Sequence, residues 1–199
     1  MQHKIIFFIV LIFTLFSCNS NKENNSKSEE IAEEAFPESE IKNVTSSNFV
    51  EDSFALKYSQ LLDYYIELKD DLVESDIKEA KKNAQFFNNF LSKMKLKNVP
   101  DSLINYWEEQ KDVLMLFSNE IARGDDLSRQ RKAFYSLSQD MYDLYLKIGI
   151  KENILYKQYC PMAFHDEGAF WLSKHDEILN PYFGSDMLHC GEVQEIINN

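Results

Sequence analysis

The sequence predicts a mainly α protein: an antiparallel, up-down-up-down four-helix bundle followed by a C-terminal, motif-rich tail of irregular and short β structure. Three observations predict it. Apolar residues recur at helical spacing in four successive segments between Phe54 and Ile148. Only short turn-like stretches separate those segments, which favours antiparallel neighbours. After Gly149 the helical period stops and Pro, Gly and aromatic residues cluster instead.

The first stripe is Phe54, Tyr58, Leu61, Tyr65, Leu68 and Leu72, with Ser46, Ser47 or Asn48 as capping candidates. The second is Ile77, Ala80, Ala84, Phe87, Leu91 and Met94. Asp76 and Glu79 open it in the pattern of a capping box. Lys93, Lys95 and Lys97 stand where cations suit a helix C-terminus, and Pro100 forbids continuation. The third is Leu103, Trp107, Leu114, Phe117 and Ile121, broken by Gln110, with Gly124 as a left-handed stop. The fourth is Leu127, Gln130, Phe134, Leu137, Met141, Leu144 and Ile148, opened by Asp125-Asp126 and closed by Gly149. The Tyr, Phe and Met residues of these stripes read as core. Beyond them, Ile154–Tyr159 and Ala169–Leu172 read as extended and able to pair. The tail is expected to pack across one end of the bundle.

Residues 1–17 read as a signal peptide. Lys4 precedes an apolar run, Ile5 to Phe16, too short to span a membrane comfortably. Leu15-Phe16-Ser17-Cys18 resembles the bacterial lipobox, with Phe16 bulkier than usual. The resemblance implies cleavage before Cys18, lipidation of that cysteine, and a place in the cell envelope on the periplasmic face or the cell surface. Residues 18–48 then form the anchor and a polar tether too poor in apolar residues to fold alone. Residues 49–199 form one domain, with the tail occupying 150–199.

Without the signal peptide the chain carries 20 basic and 33 acidic residues. That balance argues against nucleic acid as a partner. No phosphate-binding glycine loop, H-E-x-x-H or C-x-x-C-H motif is present, and Cys160 with His165 lacks a third orienting group, so the chain does not read as an enzyme. Arg131 is expected to pair with a carboxylate or with tail carbonyls, and His175 to be a solvated surface residue.

The tail concentrates soft donors: Cys160 and Met162, His165, then Met187, His189 and Cys190. Thiolates and thioethers select Cu(I) over hard cations. On a strand, Cys160 and Met162 would face one side, and in a turn the Pro161 ring would fix φ between them and hold both sulfurs nearby; a turn or short helix would gather Met187 and Cys190. With Cys18 lipidated, however, two cysteines remain, and in an oxidising compartment an even pair also reads as a disulfide. A Cys160–Cys190 bond would close a loop of about thirty residues and stabilise the fold by roughly 3–4 kcal/mol. Both readings stand at this level.

Several stretches carry a family resemblance: Leu68–Asp76, Arg131-x-x-Phe134-x-x-Leu137-Ser138, Cys160-Pro161-Met162-Ala163, Trp171-Leu172-Ser173, Ile178-x-Asn180-Pro181-Tyr182-Phe183-Gly184 and Met187-Leu188-x-Cys190-Gly191. Over about 53–197 the chain resembles an uncharacterised bacterial domain of exported proteins, also found fused to periplasmic adaptor subunits of copper/silver-type heavy-metal efflux pumps. The resemblance implies an association with copper or related metals, with Cys160, Met162, Met187 and Cys190 on the family's potential ligand positions; His165 and His189 fall outside that pattern and are secondary candidates. Together with the soft donors, this leads to the expectation of a bound copper ion, Cu(I), a role as periplasmic buffer, chaperone or accessory to efflux, and a pump adaptor as partner. The alternative is an interaction module that docks on a pump component without metal, stapled by Cys160–Cys190.

Overall fold

The structure is a computed structural model, and it describes residues 42–44, 52–148 and 154–197. The four predicted stripes become four long helices packed against one another: α1 (Asp52–Val73), α2 (Ile77–Leu91), α3 (Asp101–Arg123) and α4 (Leu127–Ile148). All six apolar residues of the first stripe are buried. The capping candidates Ser46, Ser47 and Asn48 lie outside the described residues, as do the signal peptide, Cys18 and Gly149. Among the described residues no helix is long and apolar enough to cross a membrane.

Asp76 caps α2 as expected, accepting from the backbone N–H groups of Lys78 and Glu79. The reciprocal arm of the box is not made. The Asp76 N–H donates to Asp71 O, and Glu79 pairs with Lys82 instead. Two further expectations need correction. Gly124 is extended (φ −62°, ψ 126°), so α3 ends without a left-handed glycine. Lys93, Lys95 and Lys97 lie past the end of α2, whose last turn holds no basic residue.

Polar side chains stitch the helices together inside the core. Tyr58 donates to Met141 O, and Tyr65 shares a 2.7 Å hydrogen bond with Ser138, joining α1 to α4. Gln130, placed on the apolar stripe by its position, is fully buried and donates to Ile77 O and Ile121 O. On α3, Ser118 is buried while its neighbour Phe117 is only half-buried, so the face is rotated slightly from the predicted stripe.

The tail forms a small antiparallel sheet of β2 (Leu155–Cys160), β3 (Ala169–Ser173) and β4 (Glu192–Ile197), with β2 in the middle. The first two strands match the predicted extended runs; β4 was not predicted. A short strand β1 (Lys42–Val44), from within the stretch read as tether, adds in parallel to β4.

The tail does not sit across one end of the bundle. It lies along the flank of α4 and α1, because its apolar side chains are spread over the strands rather than gathered in one loop. Phe170 meets Tyr142 edge-on, and the Leu172 N–H donates to Tyr65 Oη. Leu155, Cys160, Trp171, Tyr182 and Ile197 belong to the same buried cluster as the helices. Tail and bundle therefore share one core.

Candidate functional site at the cysteine pair

Cys160 ends β2, and Cys190 stands just before β4. Both belong to the region where the antiparallel β2 and β4 come together. Their Sγ atoms lie 2.8 Å apart, with Cys160 buried and Cys190 partly exposed. Burial and the neighbouring Cys160 sulfur push the Cys190 thiol up to about 11, partly offset by the Met162 backbone N–H. The thiol form is thus favoured at neutral pH unless a metal or a covalent partner displaces the proton.

The loop carrying Cys190 is clasped by Asn180, which is fully buried. Its side-chain amide donates to Cys190 O at 2.7 Å, and its Oδ1 accepts from the N–H groups of Tyr182 and Phe183. Its own N–H donates to Leu188 O. One side chain therefore fixes both the Asn180–Phe183 turn and the position of Cys190. Gly191 follows at φ 144°. A Cβ there would meet Tyr159 O at 2.9 Å and the Trp171 ring at 3.0 Å, so the close approach of this loop to β2 requires glycine.

Arg131 on α4 holds the next corner. It donates to Pro181 O at 2.8 Å, to Leu72 O at 3.1 Å and to Ser75 Oγ at 3.0 Å. The expected partnership with tail carbonyls is made through Pro181, and the guanidinium also closes the end of α1. Gly184 (φ 59°) lies so close that a Cβ would sit 2.8 Å from the guanidinium, from Ser75 Oγ and from Val73 O.

The other four sequence-predicted ligands divide between the loop of Cys190 and a neighbouring pocket. Met162 and Cys160 were expected to face one side, but the strand ends at Cys160. Pro161-Met162 turns away, leaving Cys160 buried and Met162 47% exposed. Met187 and Cys190 do share a turn, through Cys190 N–H to Met187 O at 3.1 Å. Met162, Met187 and His165 instead line a surface pocket of about 420 Å³ together with Arg131, Phe164 and Tyr182; neither cysteine lines it. His189 is exposed and contacts Ile178 O through Nδ1 at 2.9 Å, and His175 is exposed as expected. Among the described residues no group of three or more His, Cys, Asp or Glu side chains is placed to hold a metal ion.

The pocket wall contains a strained turn. Phe164, His165 and Asp166 are consecutive non-glycine residues at positive φ (52°, 61° and 66°). Left-handed backbone costs such residues roughly 1–2 kcal/mol each. The Gly168 N–H to Ala163 O hydrogen bond closes the turn, and stacking of Phe164 near Tyr135 and Tyr182 holds it in place.

With this geometry in view, the comparisons with known proteins are brief. Residues 61–153 match the family model described as "Protein of unknown function (DUF3347)". That match spans most of α1 and all of α2, α3 and α4, stops before β2, and is shorter than the 53–197 stretch of resemblance noted in the sequence. The likeness to an uncharacterised domain is therefore found in the helices. No curated protein and no solved structure matches the chain.

Proposed function

We propose that the chain is an exported, lipid-anchored protein of the cell envelope whose Cys160–Cys190 pair is a redox-gated site for a soft metal, Cu(I) first. In this reading the helices, in up-down-up-down order, are the scaffold, and the protein serves as buffer, chaperone or accessory to heavy-metal efflux, with a pump adaptor as partner. One observation carries the reading: two sulfurs from separate segments lie 2.8 Å apart beside the Met162 N–H. Reduced, the pair offers two soft thiolates to one ion. Met162 and Met187, on the neighbouring pocket, are the nearest candidates to complete the shell or to pass the ion on. Oxidised, the same pair has no thiolate to give. Because both protons must leave, metal affinity rises with pH across the neutral range.

A second reading is favoured by the same distance. Bonded sulfurs are about 2.05 Å apart. At 2.8 Å the two cysteine sulfurs need only a small approach to be joined. A permanent disulfide would make the tail a stapled docking module for a pump component, with no metal.

Competition with a Cu(I) chelator tests the first reading. Reduced protein is expected to take about one ion per chain, and Cys160→Ser to abolish uptake while Met162→Leu weakens it. Full retention of copper by Cys160→Ser would overturn the site. Trapping thiols at the moment of cell lysis decides between the readings: a wholly oxidised pair supports the staple, and free thiols support the metal site.

A further inference from the structure

We infer that the end of the bundle opposite the cysteine pair is a docking surface for an anionic phospholipid membrane. Lys57 on α1 and Lys93, Lys95 and Lys97 after α2 surround a recess of about 340 Å³, floored by Phe54. The three lysines after α2 share a side for a simple reason. Past the end of α2 burial alternates residue by residue from 93 to 97. Met94 and Leu96 go into the core, at 1% and 4% exposure, and Lys93, Lys95 and Lys97 are left outside. Among the described residues, none of the four ammonium groups makes an ion pair within 4 Å; the six pairs present use other lysines. Four positive charges around one recess, none ion-paired among the described residues, stand out on a chain of net charge −12. Leu56, in the same turns of α1, is 68% exposed and adds an apolar contact at that end.

The occupant follows from the chain's own layout, and this step rests on the lipid anchor at Cys18 proposed above. Twenty-three residues separate Cys18 from Lys42. Fully extended, they reach at most about 80 Å. The 22 residues of α1 span only ~33 Å. The tether thus keeps the domain near the membrane without choosing which face meets it. A basic patch on a lipid-anchored chain makes that choice, because an anionic surface attracts it over roughly a Debye length. α1 begins at the lysines and ends at Arg131, so docking at this end turns the cysteine pair and its pocket away from the bilayer, toward soluble partners.

The test uses the full chain as cells process it, isolated from membranes and reconstituted into vesicles of zwitterionic phospholipid, with or without about a third anionic phospholipid. Brief amine acylation read by mass spectrometry reports each lysine. Lys57, Lys93, Lys95 and Lys97 are expected to be several-fold protected on anionic vesicles, with protection lost at high salt; Lys132, at the other end of the bundle, is expected to be unaffected. In the triple variant Lys93→Glu, Lys95→Glu and Lys97→Glu, whose sites are all exposed, protection of Lys57 should disappear while the helical circular dichroism is unchanged. Equal labelling on both vesicle types, with the chain floating on both, overturns the docking surface and leaves the anchor standing. A chain that floats with neither vesicle overturns the anchor and the inference with it.

Discussion

The helical body and the tail are built on different principles. In the body, stability is spread along stripes: removing any one residue of the first stripe leaves five others buried on the same face. In the tail, single side chains do several jobs at once. Tyr182 packs against Phe134, Tyr135, Phe164 and Trp171, and donates to Phe170 O at 2.5 Å. Asn180 and Arg131 each tie three or more groups. Distributed packing tolerates change, whereas a clasped tail positions its cysteines accurately but depends on a few atoms.

The largest effects should come from Trp107→Ala in the body and Tyr182→Ala in the tail. Each removes a buried aromatic and should cost about 3–5 kcal/mol. Because both residues belong to one core, thermal unfolding followed by far-UV and near-UV circular dichroism should remain a single coincident transition in both variants. Two separated transitions in Tyr182→Ala would break the claim that tail and bundle are one unit.

Next comes Arg131→Met, which keeps the stem and removes the charged donors. Hydrogen bonds to charged groups are worth about 1.5–3 kcal/mol, and part of that is lost to solvent at this half-buried site. A net loss of about 2 kcal/mol is expected, with faster hydrogen exchange in the Asn180–Gly184 turn. Unchanged exchange there would show that the turn is held by Asn180 alone.

The smallest effect concerns pH. Burial, then repulsion from Asp143, raises the Asp140 carboxyl to about 6. Its folded value lies above the ordinary unfolded one, so its favourable contribution is full below about pH 4 and is lost as pH rises to 6 and above. At neutral pH the ionised group is a burden. Asp140→Asn should therefore stabilise the protein at pH 7 by about 1 kcal/mol, after allowing for solvent screening of a half-exposed group, and should have no such effect at pH 4. Denaturant titrations at the two pH values check this.

The same contrast governs how much was legible in the sequence. The helices could be read because a 3.6-residue period repeats over many turns; the departures are at their ends and in the slight rotation of the α3 face that buries Ser118 rather than Phe117. Lys93, Lys95 and Lys97 look like helix-terminal cations, but they follow the end of α2, where Met94 and Leu96 are buried between them. Two of the three tail strands were visible in β-branched and aromatic runs. β4 was missed, although Val193, Ile196 and Ile197 carry that signal, because Glu192 and Glu195 interrupt it. Glu195 is spent on Lys157 and Tyr142. Pairing of Cys160 with Cys190 was among the alternatives. The parting of Met162 from Cys160 could not be seen, because it depends on the strand ending at Cys160. Asn180 stands in the sequence only as part of the Ile178–Gly184 motif, and nothing local shows that its side chain reaches Cys190.

The most direct test of the redox-gated metal site is X-ray absorption at the copper edge on Cu(I)-loaded protein, prepared from the fully reduced and the fully oxidised chain. The account predicts one tightly held copper with two thiolate sulfurs in the reduced chain, and no retained copper in the oxidised chain. Copper bound equally in both states, or held by nitrogen and oxygen alone, would contradict it.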